Sequence, residues 1–222
     1  MSGATAILTS DDARVLAAFG RRQLAWDPRL PVRIVSTSSA VGLYTAPPLN
    51  VLALFAVPAV ITDGPIDFTV SLASLVTECD SISQFGSPLQ VETLHPISVP
   101  ITAAMSVAQL PPAGGWQVPM QAISGDLLVH VEAAVAEFTT RSAGQIQAVQ
   151  QAIADEIWER PTWAALPLRM LHAARRLGMM SNDQARVSAA TCGAWKRLAT
   201  ARGQVFARSN SGRSGIGLQV VR

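Results

Sequence analysis

The last third of the chain concentrates the side chains best suited to grip an anion. Residues 160–222 carry eleven Lys or Arg against a single acid, Asp183. Seven of them, Arg175, Arg176, Arg186, Lys196, Arg197, Arg202 and Arg208, fall where helices give way to a hairpin pattern. A guanidinium is a rigid planar fork of donors that matches the edge of a phosphate, so these seven are the candidate nucleic-acid-binding residues. Residues 34–159 have the opposite character, with Arg141 their one base among eleven acids, and residues 1–33 hold five Arg and three Asp. Such polarity has two readings. Either the basic third meets an outside polyanion, or it docks on an acidic protein surface, the chain's own residues 34–159 included.

Other chemistry-bearing residues are sparse. Cys79 beside Asp80, with His95 downstream, supplies the types of a thiol nucleophile, an orienter and a base, but such a set arises by chance in most chains. His95, His130 and His172 do not pair at metal-ligand spacing, and Cys79 and Cys192 form no CxxC, so no metal or cofactor is expected. Two free thiols suit a reducing compartment, with a disulfide between the two halves as the alternative. The pairs Glu78 with Asp80 and Glu132 with Glu137 read as solvated surface, and Asp155, Glu156 and Glu159 as the wet face of a helix. Ser209–Gly217 is rich in Gly and Ser but lacks the Lys and following helix of a phosphate loop, so it reads as a linker into a last strand. No dinucleotide fingerprint or serine-hydrolase elbow occurs. The chain is expected to bind rather than catalyse.

With 49% hydrophobic and 14% charged residues, disorder is excluded. Aromatics are only 5%, so the core must be aliphatic. The N-terminus lacks the pattern of a signal peptide. Residues 34–62 are uncharged but are broken by Ser36–Ser39, Pro47-Pro48 and Pro58, which favours buried strands over a membrane span. A cytoplasmic protein with no membrane partner is the expectation.

The elements follow from periodicity. Thr9–Asp12 cap a first helix with Val15, Leu16 and Phe19 on one face, stopped at Asp27-Pro28. Val32–Ser36, the alternating Val41, Leu43 and Thr45, the apolar run Val51–Val57, and Ile66, Phe68 and Val70 predict an antiparallel meander. Ser71 caps a short helix through Val76. Residues 81–123 give short edge strands near Val91 and Val99 and a Pro/Gly loop at 110–116, with Trp116 a local core anchor. From Ser124 the period becomes helical: Leu127, Leu128, Val131, Val135 and Phe138, then a stripe of Ile146, Val149, Ile153 and Ile157 ended by Pro161. Trp163–Leu177 predicts a third helix of this half, with Gly178 its stop.

Ser181-Asn182-Asp183-Gln184 has the form of a capping box, predicting a short helix to about Thr191. Trp195–Thr200 and Gln204–Arg208 then predict a hairpin through Ala201-Arg202-Gly203. This order over residues 142–208 resembles a winged-helix module, which implies a recognition helix carrying Arg186, Ser188 and Thr191 and a wing carrying Lys196, Arg197, Arg202 and Arg208. The strand usual between its first two helices is missing, and residues 185–191 read equally well as a strand beside 194–200, 204–208 and 216–221. The segments Leu110–Trp116, Leu171–Gly178 and Trp195–Leu198 also resemble a family of actinobacterial conserved proteins, which implies no activity. The expected fold class is α+β. An acidic sheet-rich domain spans 1–123, and a helical basic domain with a terminal hairpin spans 124–222.

Overall fold

The computed structural model describes residues 5–85, 89–90, 107–117, 120–181 and 183–209. Its elements run β1 (Thr5–Ile7), α1 (Ser10–Leu24), β2 (Pro31–Ser36), β3 (Ala40–Thr45), β4 (Leu52–Pro58), β5 (Val60–Thr62), β6 (Asp67–Ser71), α2 (Leu72–Phe85) and β7 (Leu89–Gln90). They continue with β8 (Met120–Ile123), α3 (Ser124–Ser142), α4 (Gln147–Trp158), a 3-10 turn (Trp163–Ala165), α5 (Leu168–Arg176), β9 (Arg186–Cys192), β10 (Trp195–Thr200) and β11 (Gly203–Arg208).

Eight strands form one antiparallel sheet in the order β6-β2-β3-β4-β11-β10-β9-β8, and β5-β1-β7 form a second. The α+β class is therefore what the structure shows. In the large sheet the two halves of the chain meet at one pairing, β4 with β11, where Leu54 opposes Gln204 and Leu52 opposes Phe206. Strand alternation separates the two faces of this seam. Ala53 and Val205 pack toward the helices with Leu171, Ala174 and Met179. Leu52 and Phe206 point the other way, under Val107, Leu110 and Trp116. The run Val51–Val57 is thus covered on both sides near the seam, which is why it carries no polar alternation.

Several expectations need correction. The capping-box sequence starts no recognition helix: residues 186–192 are β9, paired on both edges with β8 and β10. Val187 and Thr191 are β-branched, and Val187 and Ala189 are buried against the helices, so two flanking ladders outweigh a local cap. Without that helix there is no winged-helix module. The helix predicted over 163–177 starts at Leu168, because Pro167 has no N–H and disfavours helical backbone before it. The stripe on α4 is only partly buried. Ile157 is in the core but Ile146 is 71% exposed, so this helix packs by its C-terminal end alone. On α1 the hydroxyl of Thr9 accepts from the Asp12 backbone N–H at 3.1 Å, as a cap should. Val15 lies on the exposed side, whereas Leu16, Phe19 and Gly20 face inward. The edge strands expected near Val91 and Val99, the last strand at 216–221 and most of the Gly/Ser segment lie outside the described residues.

Candidate nucleic-acid interface

The seven candidate cations do not form one patch. Arg175 and Arg176 end α5, whose C-terminal carbonyls favour positive charge. Arg175 pairs with Glu132 at 2.9 Å. Arg176 lies over the Trp26 ring, 5.0 Å from its centroid. Arg202 sits in the two-residue turn between β10 and β11, and its Nη1 donates to the Ser181 hydroxyl at 2.7 Å. Arg197 and Arg208 lie on the opposite face of the sheet. Arg197 is 4.5 Å from the centroid of Trp116, and its Nε is buried without a hydrogen-bond partner among the described residues. Arg208 covers Trp195 and donates to Gln109. Lys196 donates to the Ala165 carbonyl. Arg186, exposed at the start of β9, has no side-chain partner among the described residues.

Of these seven, only Arg175 meets a carboxylate among the described residues. Opposite charges nearby cancel instead within the helical region. Arg141 and Arg160 share Glu137 and Glu156, and Arg169 pairs with Glu159. Those paired guanidiniums hold both Glu137 and Glu156 down to about 2, well below the usual carboxylate range.

Arg202 borders a feature that sequence reasoning missed. A groove of about 480 Å³ opens on the helix side of the β4–β11 seam, floored by Val15, Phe19, Phe55 and Met179 and edged by Arg14, Arg22 and Arg202. Arg22 comes from α1 and donates to the Leu177 carbonyl at 3.2 Å, capping the C-terminus of α5 from across the seam. Gly178, at φ 76°, has no Cβ and so leaves room for this guanidinium. Arg14 pairs with Asp11 on its own helix. The signal in the sequence is the Arg14, Arg21, Arg22 series on one amphipathic helix, which lies far along the chain from the basic third.

The thiol arrangement is not assembled as a reactive site. Cys79 is fully buried in the core between α1, α2 and the sheet, and burial together with the neighbouring Asp80 and Glu78 charges pushes its thiol up to about 12. His95 lies outside the described residues. Among the described residues no group of three His, Cys, Asp or Glu is placed to hold a metal. No helix there is long and apolar enough to cross a membrane. Cys79 and Cys192 are both free.

His172 stacks on Trp158, with ring centroids 4.4 Å apart, and its Nδ1 is buried without a hydrogen-bond partner among the described residues. Burial first, then Arg176 and Arg175, lower its pKa to about 4. The folded state therefore resists protonation that the unfolded chain accepts near 6.5. Stability should be fully present above about pH 6.5 and decline as pH falls toward about 4. Urea midpoints measured across that range should slope downward in the wild type and flatten in His172→Phe, and an unchanged slope in the variant would move the effect elsewhere.

Two family models match the chain. Residues 3–94 match the domain of unknown function DUF8010, and residues 111–212 match the domain of unknown function DUF8185. A search among curated proteins finds no match. Among solved structures the chain is similar to Caulobacter crescentus pol III beta, with TM-score 0.56 and 10% identity over 99% of this chain and 68% of that one. It is also similar to the DNA polymerase III subunit beta of Pseudomonas aeruginosa (TM-score 0.54, 11% identity, 100% and 68% covered). The same subunit of Borrelia burgdorferi gives TM-score 0.55 and 7% identity, with 93% and 64% covered. The chain spans about two thirds of the length of these proteins. At such identity the likeness is one of fold: the architecture resembles that of sliding-clamp structures, which replaces the winged-helix expectation.

Proposed function

We propose that this protein is a non-catalytic, DNA-associated binding protein that contacts the nucleic-acid backbone with the helix side of its sheet. The observation that carries this reading is that Arg22 and Arg202 edge one groove there with no carboxylate partner among the described residues, and Arg176 ends α5 one residue before Leu177, which also lines that groove. Arg176 and Arg202 come from the sequence-derived set, and Arg22 joins them through the fold. Support in kind comes from solved structures of similar architecture, some of which are described as DNA polymerase sliding clamps. Guanidiniums held by a carbonyl, a ring or a hydroxyl keep both their charge and several free donors, so phosphates remain attractive partners. Arg186, Lys196, Arg197 and Arg208 stand apart from that surface. A docked duplex would leave them free, and Arg175 acts there only through its neighbour.

The rival reading is that the basic third is neutralised by the chain's own acids. It holds for Arg160, Arg169 and Arg175 and not for the three arginines at the seam. The proposal also keeps two units in the chain. It puts their boundary between the two family matches instead of after residue 123, because β8 pairs with β9.

The test is anisotropy of a labelled random duplex titrated with the protein at two salt concentrations. Binding should weaken steeply with salt through counterion release. The triple variant Arg22→Gln, Arg176→Gln, Arg202→Gln should bind at least about tenfold more weakly, with a salt slope shallower by about 0.9 for each phosphate it no longer neutralises. Absence of binding by the wild type at low salt would remove the proposal.

A further inference from the structure

A second cluster of cations lies on the far end of the sheet, away from the helix-side groove. Arg169, Lys196 and Arg208 line a cavity of about 170 Å³ together with Glu159, Ala165 and Ser209. Arg169 belongs to α5 yet is only 4% exposed, and its Nε has no hydrogen-bond partner among the described residues. Glu159 is its carboxylate partner. Three cations and one acid leave the cavity with a surplus of about two positive charges, which matches a phosphomonoester dianion.

The wall of this cavity is strained. Ala164 and Ala165 both have positive φ, 56° and 55°, a conformation costing roughly 1 kcal/mol for each non-glycine residue. The Lys196 ammonium holds the Ala165 carbonyl in that turn. Strain of this kind persists only where surrounding structure enforces it, and it gathers at ligand sites.

Arg208 also lines a second pocket of about 350 Å³, whose other walls include Trp195, Phe206, Leu52, Pro47 and Asn50. Asn50 is itself at φ 50°. One guanidinium thus borders both an anion-sized cationic cavity and a pocket of mixed polar and apolar lining with an indole in its wall. Pockets of this size, apolar with a few convergent polar groups, suit small organic ligands.

We propose that these two cavities, which share Arg208 in their walls, bind a nucleoside monophosphate, its phosphate among Arg169, Lys196 and Arg208 and its base at Trp195. The site differs from the backbone-binding surface proposed above. It needs no duplex, and neither proposal requires the other.

The probes are AMP, adenosine, inorganic phosphate and benzoate, each titrated into the full chain by calorimetry with tryptophan fluorescence in parallel. AMP should bind saturably and at least about tenfold more tightly than adenosine or phosphate, because only AMP fills both cavities. Arg208→Gln should weaken AMP by about tenfold while leaving duplex binding unchanged. Trp195→Leu should weaken AMP by a similar factor and leave phosphate unaffected, since stacking on an aromatic ring is commonly worth about tenfold or more. Glu159→Gln, which removes the one acid, should tighten AMP and raise the thermal midpoint gained on adding phosphate. Circular dichroism of each variant separates lost binding from lost folding, and Arg208, being exposed, is the variant least subject to that ambiguity. Three results overturn the proposal: no saturable AMP binding, AMP binding no tighter than phosphate (an adventitious ion only), or benzoate binding as tightly as AMP.

Discussion

Glu159→Gln should destabilise the fold by about 3 kcal/mol, a large cost for a carboxylate that is itself half-exposed. The reason lies in its partner. Arg169 is buried at the start of α5, and burial pulls its guanidinium pKa down, the direction of a charge deprived of water. Removing Glu159 leaves that cation uncompensated and desolvated, which is the costly way to break a buried pair. Arg169→Met should cost far less. It removes the buried charge, keeps much of the side-chain volume, and leaves Glu159 at a surface where water solvates it. Urea unfolding with unchanged m-values checks both variants. A Glu159→Gln protein as stable as wild type would mean that Arg169 finds its solvation elsewhere, in water or a bound anion, and adding phosphate would separate those two sources.

The meander was legible because its period of two is a backbone property. Val41, Leu43 and Thr45 alternate as β3 must when one face meets helices. The hairpin was legible for a similar reason: Thr200 and Gly203 bracket a two-residue turn. The segment 185–191 stays open between helix and strand in the sequence because a capping box is a local signal, whereas β9 is fixed by ladders to β8 and β10 on either side. Those partners lie some 60 residues upstream and a few residues downstream, and no local window contains both. How far the α4 stripe is buried is hidden on the same ground: Ile153, Ile157 and Trp158 reach the core, whereas Ile146 stays exposed.

The site was legible in type but not in place. Density along the chain picks out seven cations, yet strand alternation sends Arg197 and Arg208 to the face of Trp116 and Trp195, while Arg176 ends a helix and Arg202 sits in a turn. Arg22 could only be added once β4 and β11 brought α1 beside α5. The Trp116–Arg197 and Trp195–Arg208 contacts were hidden for the same reason. Each pairs an aromatic with a cation that periodicity alone treats as independent.

Gly203→Val should be the most damaging single substitution at the seam, costing at least about 3 kcal/mol from backbone strain and overpacking together. Gly203 has φ 151°, which L side chains rarely adopt. A Cβ there would stand 2.7 Å from the Leu54 carbonyl oxygen and 2.7 Å from Met179 Cε. The methionine tip can swing aside, but Leu54 is held in the β4 ladder opposite Gln204. Gly193→Ala is the control. Its φ of 54° is also unfavourable, but a Cβ there meets nothing within 4 Å, so about 1 kcal/mol is expected. The difference between the two isolates the clash from the strain. Because β4–β11 is the one described pairing that joins the two halves of the large sheet, Gly203→Val should also uncouple them. Tryptophan fluorescence reports mainly on the second half, which holds Trp116, Trp158, Trp163 and Trp195, whereas far-UV circular dichroism reports on both. In the variant the two urea transitions should separate, and in the wild type they should coincide. Coincident transitions in a destabilised variant would show that the halves remain one cooperative unit held by contacts such as Arg22 on the end of α5, and not by the strand seam.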